Sequence, residues 1–250
     1  MDSVYQFLII DYESAHVSND QHLELLAQRI AITFDNQDLL IQALTHRSYI
    51  NEHPTYALGH NERLEFLGDA VLELIVTEHL YHHYPTAPEG DMTNWRASLV
   101  NAKMLSTIAS DLGLENHLLM SKGEAKDKHS RARQYILANA MESLIGAIYL
   151  DKGMNGATIF IKQFVLPRFA YILEHALYID PKSRFQELAQ ERIGVTPTYE
   201  VLTESGPDHD KQFVVGVYVG GECVAKGEGP SKQEAQLKAA HAALEVKQWQ

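Results

Sequence analysis

Two stretches of sequence decide the fold of this chain: Asn61-Glu62-Arg63-Leu64-Glu65-Phe66-Leu67-Gly68-Asp69 and Asn139-Ala140-Met141-Glu142-Ser143-Leu144-Ile145-Gly146. Apolar residues recur at helical spacing through both stretches, so we predict that each forms a helix. On the first helix, Glu65, Asp69 and Glu73 lie within about a quarter of the circumference. We predict that each helix carries its acidic groups opposite an apolar stripe.

The apolar stripe of each helix is predicted to be buried. It comprises Leu64, Leu67, Val71, Leu74 and Ile75 on the first helix, and Leu137, Met141, Leu144 and Ile148 on the second. Gly146 shares the acidic face of the second helix with Glu142. Because glycine has no side chain, another backbone or a ligand can approach closely there.

The acidic face of the first helix has two interpretations. Acids on one helix face, here Glu62, Glu65, Asp69 and Glu73, usually form a solvated surface. However, like charges one turn apart repel, at a cost of about 0.2–0.5 kcal/mol for each pair. The uncompensated acids therefore predict a bound cation. Carboxylates that face each other across a helix pair suit Mg²⁺ beside a phosphodiester.

These motifs resemble those of the ribonuclease III family, the endonucleases that cut double-stranded RNA. The matching segments are 44–49, 60–70, 95–100 and 144–151. The resemblance extends from about residue 22 to residue 245, and the C-terminal part resembles a double-stranded-RNA-binding domain. It implies a mainly α fold, in which an all-helical nuclease domain is followed by a small α-β-β-β-α domain.

The resemblance also implies a Mg²⁺ site, with Mn²⁺ as a plausible substitute and no small-molecule cofactor. Its ligands would be Glu65, Asp69, Glu142 and position 139, with Asp69 and Glu142 as catalytic residues. Position 139 is Asn here, whereas the family usually has Asp. Asn keeps a carbonyl oxygen but removes one charge, so metal affinity should fall. Three interpretations stay open: an active enzyme that tolerates Asn139, which we favour, an engineered trap that binds without cutting, and a natural homologue that does not cleave.

In this family two subunits form a homodimer, and each subunit cuts one strand. The products would carry 5′-phosphate and 3′-hydroxyl ends with a short 3′ overhang. Phe66 would fill a pocket on the other subunit, with Glu62 and Arg63 at the same interface. The implied roles are the processing of ribosomal and messenger RNA precursors and RNA decay.

The character of the sequence changes at Asp180-Pro181, which is a strong helix start. We predict a helix at 182–192, strands at 199–203, 212–219 and 222–228, and a final helix opened by a capping box at Ser231. Gly220-Gly221 predicts a two-residue hairpin turn. The predicted domain boundaries are an N-terminal extension at 1–20, the nuclease domain at 21–177, a linker at 178–180 and the RNA-binding domain at 181–250.

The resemblance implies RNA contacts in three patches of the C-terminal domain. Recognition would be by shape, because the deep major groove of A-form RNA hides the base edges. The predicted contact residues are Ser183, Gln186 and Gln190 in the first helix, Pro207 and His209 in the 206–209 loop, and Ser231, Lys232 and Lys238 in the last helix. The family often has lysine at the positions of Gln233 and Gln236, so we expect comparatively weak RNA binding.

Composition restricts the class of protein further. The net charge is −12, of which residues 180–250 carry −3, so any RNA contact must depend on the local placement of basic groups. The single Cys223 excludes an internal disulfide and fits a reducing compartment. The sequence has neither an apolar run near the ~20 residues that span a bilayer nor a convincing signal peptide. We therefore predict a cytoplasmic protein without a membrane partner.

Two further clusters of side chains, one basic and one of histidines, have a composition that can bind RNA or a metal ion. The main basic run comprises Lys122, Lys126, Lys128, Arg131 and Arg133. It predicts either a solvated loop or a contact to the RNA backbone. The spacing of His79, His82 and His83 is compatible with Zn²⁺, but no cysteine accompanies them and they precede Pro85 at a predicted helix end, so the sequence alone does not favour a metal site there.

Overall fold

The computed structural model describes residues 19–126, 130–207 and 211–249. Residues 1–18 of the predicted extension, Lys128 of the basic run and His209 of the predicted RNA contacts lie outside these ranges. The chain divides into two compact units, and the boundary falls between His175 and Ala176. The first unit is helical and the second combines helices with a sheet, which confirms the predicted fold class. The domain boundaries given above stay a prediction.

The first unit consists of helices joined by short connections. They are α1 (Asn19–Ile30), α2 (Gln37–Ala43), α3 (Arg47–Glu52), α4 (Glu62–His83), α5 (Glu89–Val100), α6 (Ala102–Asp111), α7 (Lys122–Lys126), α8 (Arg131–Phe164) and α9 (Arg168–Glu174), with a 3-10 turn at Leu114–Asn116. Helix α8 is kinked at Gly153, where φ is 67° and ψ is −171°. A side chain at that φ would be strained, so glycine suits the kink.

Helix α8 forms the centre of this unit. It packs against α4, α6 and α2. The predicted stripe of Leu137, Met141, Leu144 and Ile148 is buried, as predicted. The faces between these residues are buried as well, including Ser143 and Ile145. Asn139 and Glu142 are half-buried, so neighbouring helices cover more of α8 than the predicted stripe alone.

The buried face of α4 differs in part from the prediction. Leu64, Val71 and Ile75 are buried, as predicted, but Leu74 is 55% exposed. Leu67 is half-buried, whereas Gly68, Leu72 and Val76 are buried. The face that packs is thus rotated towards Gly68. Apolar residues occur on several sides of α4, and the contact with α8 decides which side is covered.

The second unit has the predicted α-β-β-β-α order. Its elements are α10 (Pro181–Ile193), β1 (Thr198–Ser205), β2 (Gln212–Val219), β3 (Glu222–Gly229) and α11 (Lys232–Lys247). Asp180 caps α10 by accepting a hydrogen bond from the Ser183 backbone N–H at 2.7 Å. The strands pair antiparallel in the order β1-β2-β3. Gly220 and Gly221 both have positive φ in the turn, which confirms the predicted hairpin.

One face of the sheet packs against the two helices. Phe213, Val215, Val217 and Val219 of β2 are buried, as their alternation predicts. They pack with Phe185 of α10 and with a row of alanines on α11. Small residues on α11 allow it to lie close to β3, where Gly227 contacts its backbone. Among the described residues of both units, no helix is long and apolar enough to cross a membrane.

Candidate active site and nucleic-acid interface

Two glycines bring α4 and α8 into backbone contact. A Cβ atom at Gly68 would overlap the carbonyl oxygen of Glu142, and a Cβ at Gly146 would overlap that of Leu64. The close approach predicted from Gly146 is therefore confirmed, and the approaching group is the backbone of α4. Because Glu65 and Asp69 flank Gly68 on α4, this crossing brings their carboxylates near Glu142.

The start of α4 is held by buried polar groups. Asn61 is buried, and its Nδ2 donates to the carbonyl oxygen of Ala43 at 3.3 Å. Its backbone N–H donates to the Thr45 carbonyl oxygen at 2.9 Å. The buried hydroxyl of Ser143 contacts the carbonyl oxygens of Asn61 at 3.2 Å and Asn139 at 2.7 Å. Ser143 thus ties α8 to the start of α4, a role that its place in an apolar helix did not reveal.

The carboxylates at this crossing interact strongly. Burial raises the pKa of Glu142 to about 8, with further contributions from the negative charges of Asp69, Glu65 and Glu73. Burial also raises the pKa of Glu65, assisted by the charges of Glu62 and Asp69. These shifts indicate that the carboxylates of Glu142, Glu65 and Asp69 lie close enough together to repel one another.

Asn139 takes part in the same cluster. Its side chain hydrogen-bonds to Glu65, which opposes the rise in the pKa of that carboxyl. An ionised carboxylate can only accept, so the amide nitrogen of Asn139 faces Glu65. An aspartate at position 139 would instead add a further negative charge.

The donor set fits a hard divalent cation. Glu65, Asp69, Glu142 and Asn139 offer oxygen ligands, which Mg²⁺ prefers. Within residues 19–126, 130–207 and 211–249, no lysine, arginine or histidine forms an ion pair with Glu65, Asp69 or Glu142. In that same part of the chain, no three His, Cys, Asp or Glu side chains are arranged to hold an ion directly. The candidate ligands therefore share a neighbourhood, and side-chain movement would be needed to complete a coordination sphere.

The predicted interface residues surround the start of α4. Phe66 is 82% exposed. Glu62 pairs with Arg47 at 3.4 Å and lies 3.7 Å from the Nδ1 of His60. Arg63 is exposed and forms no ion pair with Glu62. Arg47 is thus the basic neighbour that pairs with Glu62.

The predicted RNA contacts of α10 lie on its exposed side. Ser183, Gln186 and Gln190 are all exposed, at intervals of three and four residues. The Gln190 Oε1 accepts a hydrogen bond from Thr196 at 3.2 Å. Pro207 is exposed as well.

Helix α11 presents fewer free cations than its sequence indicates. Ser231 caps the helix, since its Oγ accepts a hydrogen bond from the Glu234 N–H at 3.2 Å. Lys232 is exposed, with its Nζ 5.7 Å from the centre of the Phe213 ring. Lys238 lies 4.0 Å from the Glu234 carboxylate, which partly neutralises it.

Lys182 supplies a cation that sequence reasoning missed. Its Nζ donates to Gln236 Oε1 at 2.8 Å and lies 4.9 Å from the centre of the Tyr199 ring. An ammonium group from α10 therefore lies beside Gln236 of α11. The two residues are 54 positions apart, so only the packing of α10 on α11 reveals the pair.

The basic run is not a uniform RNA-contacting loop. Arg133 is buried and donates to the carbonyl oxygen of Glu115 at 3.5 Å, so the prediction of a solvated or RNA-contacting role was wrong for it. Lys122 and Lys126 are exposed in α7, and Arg131 is exposed at the start of α8. Nothing local in the sequence distinguished Arg133 from its neighbours.

Comparisons with known proteins agree with this architecture. Residues 36–169 match a family model described as ribonuclease-III-like, and residues 181–247 match the double-stranded RNA binding motif. A protein named Ribonuclease 3 from Pelotomaculum thermopropionicum is 44% identical over 222 residues, which cover 89% of this chain and 92% of that protein. A second, from Bdellovibrio bacteriovorus, is 43% identical over 229 residues, covering 91% and 97%.

A solved structure is similar to the first unit. It is the nuclease domain of ribonuclease III from Campylobacter jejuni, described as flexible in a region involved in dimer formation. It is 38% identical, has a TM-score of 0.52, and covers 59% of this chain and 99% of its own. Fold and matches together define a nuclease unit joined to a double-stranded-RNA-binding unit. The chain belongs to the ribonuclease III family and is an endoribonuclease with a double-stranded-RNA-binding domain.

Proposed function

We propose that the protein cuts double-stranded RNA with Mg²⁺ held by Glu65, Asp69, Asn139 and Glu142, and that Mn²⁺ can replace Mg²⁺. The observation that carries this proposal is Glu142, which is partly buried against Asp69 and Glu65 with its pKa raised to about 8. A group of repelling carboxylates lowers stability unless a cation compensates it. The retained carboxylates therefore favour a functional site.

A Mg²⁺ ion held by these residues would supply charge neutralisation of the phosphate, activation of water and stabilisation of the leaving oxygen. The residues of this chain prepare that chemistry. Ser143 and Gly68 fix Glu142 against α4, and Asn139 orients Glu65 through its amide nitrogen. Asp69 is exposed, so it can meet a phosphate that approaches from solvent. We assign Asp69 and Glu142 as the catalytic carboxylates.

The second unit would hold the duplex by its shape. Ser183, Gln186 and Gln190 suit 2′-hydroxyl groups in a minor groove, and the 206–209 loop would reach the next minor groove. Lys182, Lys232 and the start of α11 would meet phosphates between them. Because residues 180–250 carry a net charge of −3, binding should be weak and salt-sensitive.

Two subunits would act together, with one site for each strand. An exposed Phe66 near Glu62 and Arg63 supports this arrangement, since an isolated phenylalanine is costly in water and effective in a partner's pocket. Such a dimer would leave 5′-phosphate and 3′-hydroxyl ends with a short 3′ overhang. We place its roles in the cytoplasm, in ribosomal and messenger RNA processing and RNA decay.

A second candidate function is binding of double-stranded RNA without cleavage. The observation that favours it is Asn139, whose amide nitrogen faces Glu65 and turns a donor towards the proposed metal site. The hydrogen bond from Asn139 stabilises the negative charge of Glu65, as a bound metal ion would otherwise do.

A cleavage assay on a long duplex RNA separates the two functions. We expect cutting with Mg²⁺, no cutting with EDTA, and loss of cutting in Glu142→Gln while gel-shift binding is retained. Intact RNA at every Mg²⁺ and Mn²⁺ concentration, with normal binding, would establish the second function instead. Sequencing of the product ends tests the overhang.

A further inference from the structure

Three helices of the first unit end in the same arrangement. A histidine donates from Nδ1 to the backbone carbonyl oxygen four residues earlier, and its ring packs against the ring of that residue, stacked in two cases and tilted by 34° in Tyr171–His175. The pairs are Tyr49–His53 at the end of α3, His79–His83 at the end of α4 and Tyr171–His175 at the end of α9, with donor–acceptor distances of 2.9, 2.9 and 3.0 Å. The ring centroids are 4.1, 3.9 and 4.0 Å apart. Only in α4 is the stacking partner a second imidazole.

The hydrogen bond prepares His83 as a metal ligand. A carbonyl oxygen can only accept, so the Nδ1 of His83 carries the proton and the neutral ring keeps its lone pair on Nε2. A ligating histidine usually donates its other ring N–H to a carbonyl or carboxylate in this way. His83 is exposed at the end of α4, so an ion can reach it.

The neighbouring ring has an unsatisfied nitrogen. The Nδ1 of His79 is buried, and it has no hydrogen-bond partner in the described part of the chain. Two nitrogens that bind one ion at about 2.0–2.1 Å lie roughly 3 Å apart when they are adjacent ligands. The ring centroids of His79 and His83 are 3.9 Å apart, and both rings would have to rotate for one nitrogen of each to point at the same ion.

We propose that His79 and His83 form a two-imidazole chelate for a late first-row divalent metal ion of the Zn²⁺, Ni²⁺ and Cu²⁺ class. No three metal-ligating side chains meet among the described residues, so water fills the other positions of the ion. Imidazole selects these ions, whereas the carboxylate site suits Mg²⁺. His79 follows Asp69 by ten residues, which is about 15 Å along the helix axis, so the two sites are separate.

The charge of Lys162 acts against this site. Lys162 lies near enough to His79 for its positive charge to repel a bound cation. We therefore expect Lys162→Gln to strengthen metal binding. A bound ion would hold the last turn of α4 in place, because it binds only the folded helix end.

Paramagnetic Cu²⁺ added at substoichiometric amounts tests the proposal by NMR of the histidine rings in the full chain. The ring signals of His79 and His83 should broaden first, while His53 and His175 serve as internal references with the same helix-end arrangement. His79→Tyr gives α4 the Tyr–His pair that already ends α3 and α9. This variant should keep the fold and lose at least about 10-fold in affinity, by comparison with the loss of a supporting contact.

A reciprocal variant makes the test independent of damage to α4. Tyr171→His places a second imidazole beside His175, and should make the signal of His175 as sensitive to Cu²⁺ as that of His83. If the His83 signal broadens no earlier than those of His53 and His175 in the unmodified chain, the proposal is overturned. Equal Cu²⁺ affinity of the unmodified chain and His79→Tyr at that site would overturn it too.

Discussion

Glu142 links the proposed metal site to the stability of the protein. Its carboxyl is held in a partly buried position beside other acids, and its pKa rises from an ordinary 4.5 to about 8. The folded protein therefore binds a proton there more tightly than the unfolded chain does. In the absence of metal, the Glu142 carboxyl makes its full contribution to the free energy of unfolding below about pH 4.5. This contribution is lost as the pH rises towards 8.

Glu142→Gln removes this pH dependence. In EDTA at pH 8–9 we expect the variant to be more stable by about 1–2 kcal/mol, a value reduced from the full pKa shift because water screens a partly exposed carboxyl. At pH 5 the two proteins should differ little. Urea unfolding at both pH values measures the effect. Equal stability at pH 8–9 would show that the neighbouring charges do not act on Glu142.

Asn139 sets the charge of the proposed metal site. Asn139→Asp adds a carboxylate and removes the donor that faces Glu65. We expect the Mg²⁺ concentration at half-maximal cleavage to fall by about tenfold or more, which corresponds to about 1.4 kcal/mol. Initial cleavage rates across a Mg²⁺ series measure this. An unchanged midpoint would remove Asn139 from the ligand set.

The pair of helices α4 and α8 depends on glycine at the crossing. Gly68→Ala would place a methyl group against the Glu142 carbonyl oxygen, and the helices would have to separate. We expect a loss of about 1–3 kcal/mol in unfolding free energy, as for other overpacked contacts, with reduced cleavage. Gly90→Ala in α5 is the matched control, because a Cβ there meets no atom within 4 Å. A similar effect in both variants would contradict the close packing.

The pair of helices α10 and α11 presents the proposed phosphate contact. Lys182→Ala removes the ammonium beside Gln236, and it should weaken binding to any duplex sequence about equally. The slope of the logarithm of affinity against the logarithm of salt concentration should fall by about 1. Lys226→Ala, which removes an exposed lysine of β3, tests for a general charge effect. Equal losses in the two variants would argue against a specific role for Lys182.

At the scale of the whole molecule, the proposed assembly of two subunits would depend on Phe66, an apolar side chain exposed to water. Phe66 is 82% exposed, so its burial in a partner would contribute to association. We expect Phe66→Ala to raise the dissociation constant of the dimer by about 30-fold or more, which corresponds to about 2 kcal/mol. Analytical ultracentrifugation measures this, with the half-exposed Tyr135→Ala as the control. A monomer in the unmodified protein would exclude the proposed role of Phe66.

Much of the architecture could be predicted from local sequence. The Asp180 cap, the Gly220-Gly221 turn and the alternation in β2 each act over a few residues, so their physical causes are visible in the sequence. The acids of 61–69 and 139–146 identified the candidate site for the same reason. Family resemblance added the roles of these residues, which still depend on the experiments above.

Only the tertiary structure decided which sides of the helices are covered and which distant groups meet. Leu74 was predicted to be buried and is exposed, while Arg133 was predicted to be accessible and is buried. Lys182 reaches Gln236 across 54 residues, and Gly68 meets the backbone of Glu142. Helical periodicity determines which residues share a face. The partner that covers this face depends on packing between elements far apart in the chain, for which local spacing carries no information.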